Sequence, residues 1–252
     1  MAEHITSRTN PLMTHLRKLT SSRSYRREQG EYLGDGVKLL AEAVRWNAPL
    51  TAVVGTREEH FAGLPEQVRC VLVPEDLMAS VSPMESPQGV LFTCKTPDFH
   101  PPKMLSGSRY LALEGVQDPG NVGTILRTAD AFGADGVLVL GGCADLCNHK
   151  TVRSSMGAVF RIPAWSCTLK ELSALCRSAD LPLVGAALRE DTVDVRQADL
   201  RRAVGLVGSE GQGLSEAALT ACDLTVKIPM SPRCESLNVA VAAATLLWEG
   251  YR

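Results

Sequence analysis

Asp118-Pro119-Gly120-Asn121-Val122-Gly123-Thr124-Ile125-Leu126-Arg127-Thr128-Ala129 joins a short apolar run at 110–113 to a helix-like segment, through residues that tolerate tight turns and offer backbone hydrogen bonds. The same construction recurs twice. Val207-Gly208-Ser209-Glu210-Gly211-Gln212-Gly213-Leu214-Ser215 follows the run 203–207, and Ile228-Pro229-Met230, leading into Ser236-Leu237-Asn238-Val239-Ala240-Val241-Ala242, follows 224–228. Further apolar runs stand at 137–140 and 183–187, each with a turn and a helix-like segment behind it. Such alternation predicts a parallel sheet covered on both faces. Open sheets of this kind take ligands where the strands end, and all three segments sit at such exits.

Upstream the pattern changes. A helix is expected after Asn10-Pro11, with asparagine as cap and proline in the first turn, continuing through Leu12, Leu16 and Leu19. Another is expected from Gly36 through Leu39, Leu40, Ala43 and Val44. Runs of β-formers at 50–54, 68–73 and 89–94 alternate with helical candidates around Phe61 and Leu77, which predicts a small α/β domain. Residues 96–108, with Pro97, Pro101 and Pro102 among polar neighbours, read as a linker. The expected division is therefore 1–95, 96–108 and 109–252.

A chain of 252 residues, 45% of them apolar, has ample material for a buried core. Its longest apolar stretches fall short of the roughly 18 residues that a spanning helix needs, so no membrane span is expected. The polar, mixed N-terminus does not read as a secretory signal. Eight scattered cysteines suit reduced thiols in a cytoplasmic protein. Cys143, Cys147 and His149 offer three metal ligands but no nearby fourth at a zinc-ribbon spacing, and no metal is expected. With 26 basic against 28 acidic side chains, the overall balance is not that of a protein that coats polyanions. Locally, however, Arg8, Arg17, Lys18, Arg23, Arg26 and Arg27 face only Glu3 and Glu28 in the first 30 residues. Such an excess suits either phosphates or an ordinary solvated helix face.

Helical continuation from Asn121 puts Gly123 and Arg127 on one face, one turn apart. Arg127 there suits an RNA phosphate, a ribose hydroxyl, or a structural pairing with Glu114 or Asp118. Asn121 is explained equally well as a helix cap. Gly208, Gly211 and Gly213 let backbone bend sharply or approach something flat, with Glu210 the only charge inside that loop. No Gly-Lys-Ser/Thr ending follows, which argues against a nucleoside triphosphate site. Pro229 fixes an extended exit, and Ser236, a natural N-cap, opens with Asn238 an alanine-rich helix.

In this order the three segments resemble the signature motifs of the SpoU branch of the SPOUT RNA methyltransferases. Ser7-Arg8-Thr9-Asn10-Pro11, the basic helix behind it, Gln29-Gly30-Glu31-Tyr32-Leu33-Gly34-Asp35-Gly36 and Ser86-Pro87-Gln88-Gly89-Val90 are similar to the RNA-recruiting domain that many members carry. Arg153-Ser154-Ser155-Met156-Gly157-Ala158 is similar to a stretch between the first and second motifs. The resemblance implies a C-terminal trefoil knot, a rare exception to unknotted chains, and a homodimer whose site borrows residues across the interface. It implies S-adenosyl-L-methionine as cofactor, held at Gly208, Gly211, Ile228, Met230 and Leu237. Asn121, Arg127, Glu210, Ser236 and Asn238 form the implied catalytic group. RNA contacts are expected from Arg8, Arg17, Lys18, Arg23, Arg26, Arg27 and Arg153. One departure stands out: Pro232 occupies a position where the family usually has glycine, which predicts a local change in that loop.

The implied activity is ribose 2′-O-methylation of RNA, ribosomal RNA ahead of transfer RNA. A noncatalytic RNA-binding protein on the same fold is the alternative, and the presence of the whole catalytic group counts against it. A dinucleotide oxidoreductase would want Gly-x-Gly-x-x-Gly after the first strand, which Gly120-x-x-Gly123 does not supply.

Overall fold

A computed structural model describes residues 2–189 and 191–252. In chain order the elements are β1 (Glu3–His4), α1 (Pro11–Ser21), α2 (Arg23–Gln29), β2 (Glu31–Asp35), α3 (Val37–Arg45), β3 (Leu50–Gly55), β4 (Arg69–Leu72), α4 (Glu75–Val81) and β5 (Val90–Lys95). There follow β6 (Arg109–Leu113), α5 (Pro119–Ala131), β7 (Gly136–Val139), α6 (His149–Ser154), β8 (Ala164–Ser166), α7 (Leu169–Ala179), β9 (Leu183–Ala186), β10 (Val193–Asp194), β11 (Ala203–Val207), α8 (Glu216–Ala221), β12 (Leu224–Lys227) and α9 (Val239–Tyr251). They form two compact units, one of residues up to Pro97 with Asp145–Phe160, the other of Asp98–Ala144 with Arg161–Arg252.

The first unit is built on a five-stranded sheet of order β1-β4-β3-β5-β2. Its β1–β4 and β4–β3 pairs are parallel, and β5 runs antiparallel to both β3 and β2. Helix α1 starts where expected: Asn10 Oδ1 accepts from the Leu12 amide, and Leu12, Met13, Leu16 and Leu19 are buried. These side chains pack with Leu33, Val54, Val71, Leu77, Met78 and Leu91 to form the core. The candidate helix around Phe61 is a single 3₁₀ turn, Glu58–Phe61, too short to bury an apolar face.

Residues 145–160, expected within the C-terminal domain, pack with this first unit instead. The reason is a buried charge. Arg26, 4% exposed, donates from Nη2 and Nε to Asp145 Oδ2 at 2.6 and 3.0 Å and from Nη1 to the Leu19 carbonyl at 2.7 Å. Helix α6 then lies against β2.

The second unit carries a seven-stranded sheet of order β10-β12-β9-β11-β6-β7-β8, with every pair parallel. Both faces are covered, which explains the unbroken apolar runs of β7 and β11. Helix α9 packs on α5 and β11, and Gly205 allows this approach because an added Cβ would stand 3.3 Å from Leu246 Cδ2. The linker residues contain no helix or strand but are anchored. Leu105 is buried, and the amides of Gly107 and Ser108 donate to Tyr110 Oη and Asp135 Oδ2.

All eight cysteines are free thiols. Burial pushes Cys94, Cys147, Cys167 and Cys176 up to about 12, so they sit in the core as small apolar groups. Among the described residues no helix is long and apolar enough to cross a membrane.

Candidate active site

Three neighbouring parallel strands, β12, β9 and β11, end beside one another, and a pocket of about 500 Å³ opens at their carboxyl ends. Gly208, Gly211, Ile228, Met230 and Leu237, the five residues expected to hold the cofactor, all line it. Glu210 and Ser236 line it as well. Its lining is apolar at Val207, Leu214, Leu219 and Val226, while Glu210 and Glu235 bring negative charge and Glu216 stands 3.9 Å from Arg189.

The glycine-rich loop is an arch. Ser209 and Gly213 exchange two backbone hydrogen bonds of 3.0 Å, closing the loop, and Gly213 sits at φ +67°, where glycine is favoured. At Gly208 an added Cβ would fall 2.1 Å from the Gly213 carbonyl carbon and oxygen, so the two arms of the arch leave no space for a side chain. Gly208→Ala is therefore expected to spread the arch and weaken ligand binding in this pocket by at least tenfold, read by titration calorimetry.

Asn121, Glu210 and Asn238 are brought together from three elements. Asn238, not Ser236, is the N-cap of α9. Its Oδ1 accepts from the Ala240 and Val241 amides, while exposed Ser236 stays two residues outside the helix. With its oxygen committed to the cap, Asn238 turns its Nδ2 outward to donate to Asn121 Oδ1 at 3.1 Å. Asn121 must then present its own Nδ2, which donates to Glu210 Oε1 at 2.5 Å. The helix cap thus sets the direction of the whole chain, ending on a carboxylate. Asn121 itself is not a cap: Asp118 fills that position, accepting from the Asn121 amide at 2.8 Å.

Arg127 stands exposed on α5, and among the described residues it has no ion pair or hydrogen bond from its side chain. The two carboxylates considered as its structural partners are engaged elsewhere, Asp118 at the helix cap and Glu114 on Ser215. Its guanidinium is free to meet an anion.

Pro232 fits its place. The Cys234 amide donates to the Ser231 carbonyl at 2.9 Å, a turn in which proline holds the second position and lends its fixed φ.

The basic residues expected to meet RNA all belong to the first unit, with unequal availability. Lys18, Arg23 and Arg27 are exposed on α1 and α2, and Lys18 Nζ stands 5.3 Å from the Tyr25 ring centre. Arg26 is a correction: buried and bound to Asp145, it cannot reach a phosphate. Arg17 is half-buried and committed to Ser80 and the Arg8 carbonyl. Arg8 pairs loosely with Asp76 at 3.4 Å, and exposed Arg153 contacts Met84 Sδ. Sequence reading missed the pocket wall at Ala186, Ala187 and Arg189, although the end of the run 183–187 marked another strand exit.

Comparison with known proteins divides the chain by sequence, with 145–160 on the C-terminal side. Residues 108–248 match the model of the SpoU rRNA methylase family, and residues 10–91 match an MRM3-like substrate binding domain. The chain is 31% identical to a Bacillus subtilis 23S rRNA (guanosine(2553)-2′-O)-methyltransferase over 98% of both chains. It is 33% identical to a Streptomyces viridochromogenes 23S rRNA (uridine(2479)-2′-O)-methyltransferase, over 100% of this chain and 92% of that one. An AdoMet-bound rRNA methyltransferase from Sinorhizobium meliloti superposes with a TM-score of 0.88 at 31% identity, covering 99% of this chain and 97% of that one.

Proposed function

The chain belongs to the SpoU rRNA methylase family, and from that membership we infer an S-adenosylmethionine-dependent RNA ribose 2′-O-methyltransferase that acts on ribosomal RNA. The observation that carries the reading is the pocket, where a glycine arch, apolar walls and carboxylates meet the end of an ordered Asn238–Asn121–Glu210 chain. The donor set fits the cofactor. Backbone of the arch and the side chains of Ile228, Met230 and Leu237 would hold an adenosyl group, and nearby carboxylates suit a cationic sulfur. Bound S-adenosylmethionine supplies an activated methyl group on a sulfonium.

The protein's own task is placement. A guanidinium stays protonated at neutral pH and is a poor base, so Arg127 acts as a fixed positive charge. It orients the substrate phosphate and stabilises negative charge developing on the ribose oxygen. Asn121, Glu210 and Asn238 hold the pocket side in one arrangement, with Ser236 at its rim.

RNA is recruited by the first unit, through Lys18, Arg23 and Arg27 with Arg8 and Arg153 beside them. The reading includes a cytoplasmic protein, a C-terminal trefoil knot and a homodimer. Exposed Val241, Trp248 and Tyr251 on α9 offer an apolar face of the kind that dimers cover. The two 23S rRNA relatives named above differ in target base, guanosine in one and uridine in the other. A ribose hydroxyl is common to every nucleotide, so the target is selected by RNA recruitment rather than by the methyl-transfer residues.

Incubation with methyl-labelled S-adenosylmethionine and unmodified RNA tests the substrate class. Label is expected in large-subunit ribosomal RNA; label confined to transfer RNA would overturn that assignment.

A further inference from the structure

We propose that Glu114 is a positioning residue for the cofactor pocket, a role that rests on the methyltransferase reading above. Glu114 follows β6, where its amide donates to the Val207 carbonyl at 2.9 Å at the root of the arch. Its carboxylate reaches the other foot. Oε2 accepts from the Ser215 amide and Oε1 from Ser215 Oγ, both at 2.8 Å. Ser215 in turn caps α8, its Oγ accepting from the Ala218 amide at 3.1 Å.

One residue therefore ties both feet of the 208–215 arch to the end of β6, the strand beside β11, one foot through backbone and one through a charged side chain. Charge-assisted bonds of this geometry are stronger than neutral ones. The arch needs them, because among the described residues the bonds that close the loop from within are the Ser209–Gly213 exchange and a 3.3 Å contact from the Gln212 amide to Ser209 Oγ. The arch supplies much of the pocket wall, including Glu210, the terminus of the Asn121 chain. Without Glu114, α8 keeps its cap but the far foot loses its tie. A loosened wall must be ordered when ligand binds, and that ordering weakens affinity.

Glu114 does not line the pocket, so the expected signature is a split between binding and turnover. Glu114→Ala should weaken S-adenosylmethionine binding about tenfold and raise its KM alike, while kcat changes by less than about threefold. Glu114→Gln, whose carbonyl oxygen still accepts from the Ser215 amide, should recover most of the affinity. Ser215→Ala, which keeps the amide bond but loses the hydroxyl one together with the α8 cap, should fall between in affinity and lower Tm further. These three ratios, from calorimetry and steady-state kinetics with Tm measured alongside, carry the test. Equal cofactor affinity in wild type and Glu114→Ala overturns this proposal alone. So does an equal loss in Glu114→Gln and Glu114→Ala, or a loss confined to Tm. A wild-type protein that binds no S-adenosylmethionine overturns the proposal together with the reading beneath it.

Discussion

Arg127→Ala is expected to lower 2′-O-methylation of the cognate RNA by about 10²–10³-fold, the range found when one preorganised group that stabilises transition-state charge is removed. The structure isolates this residue. It is exposed on α5, and neither Glu114 nor Asp118 neutralises it, so its charge has no structural use that the substitution would disturb. Tm and S-adenosylmethionine affinity should stay near wild type, because Arg127 neither lines the pocket nor bonds to the Asn238–Asn121–Glu210 chain. Arg127→Lys should recover only part of the rate, since a point charge replaces a planar fork. Single-turnover rates with saturating cofactor provide the measurement. Near-normal rates in Arg127→Ala would remove the residue from the chemistry.

Arg26→Ala should produce the largest stability loss among the basic residues, about 3–5 kcal/mol, because it leaves Asp145 without its partner in a largely buried site. The same change at Arg8, whose pair with Asp76 is mostly exposed, should cost no more than about 0.5 kcal/mol. Denaturant midpoints give both values. Pairing Arg26→Ala with Asp145→Ala should recover part of the loss, since the stranded carboxylate goes with it. Equal midpoints for Arg26→Ala and Arg8→Ala would mean that the ion pair does not hold 145–160 in place. Deleting residues 1–95 to test RNA recruitment would strip this segment of its packing, so exposed Lys18, Arg23 and Arg27 are the better targets.

The parallel sheet was legible because β6, β7, β9 and β11 are nearly continuous apolar runs, and the site was legible because three motifs fall at strand ends. Strands β1, β8 and β10 have two or three residues each, too few to show a period. In β2 the charged ends and Gly34 conceal a strand, yet an added Cβ at Gly34 would fall 2.2 Å from the Phe92 ring, so glycine is what the packing requires. The placement of 145–160 depends on a pair 119 residues apart, and Arg26 reads in sequence as one more basic surface residue. Ser236 and Asn238 are both competent caps, and only the course of the chain after Met230 selects Asn238.

Nucleoside mass spectrometry of large-subunit ribosomal RNA, after incubation with the purified protein and labelled S-adenosylmethionine, decides whether this site methylates ribose. Label is predicted in a single 2′-O-methylnucleoside, with its initial rate lowered about 10²–10³-fold when Arg127→Ala replaces wild type. Label on a base, or none despite demonstrated cofactor binding and an unmodified target, would contradict ribose methylation by this site.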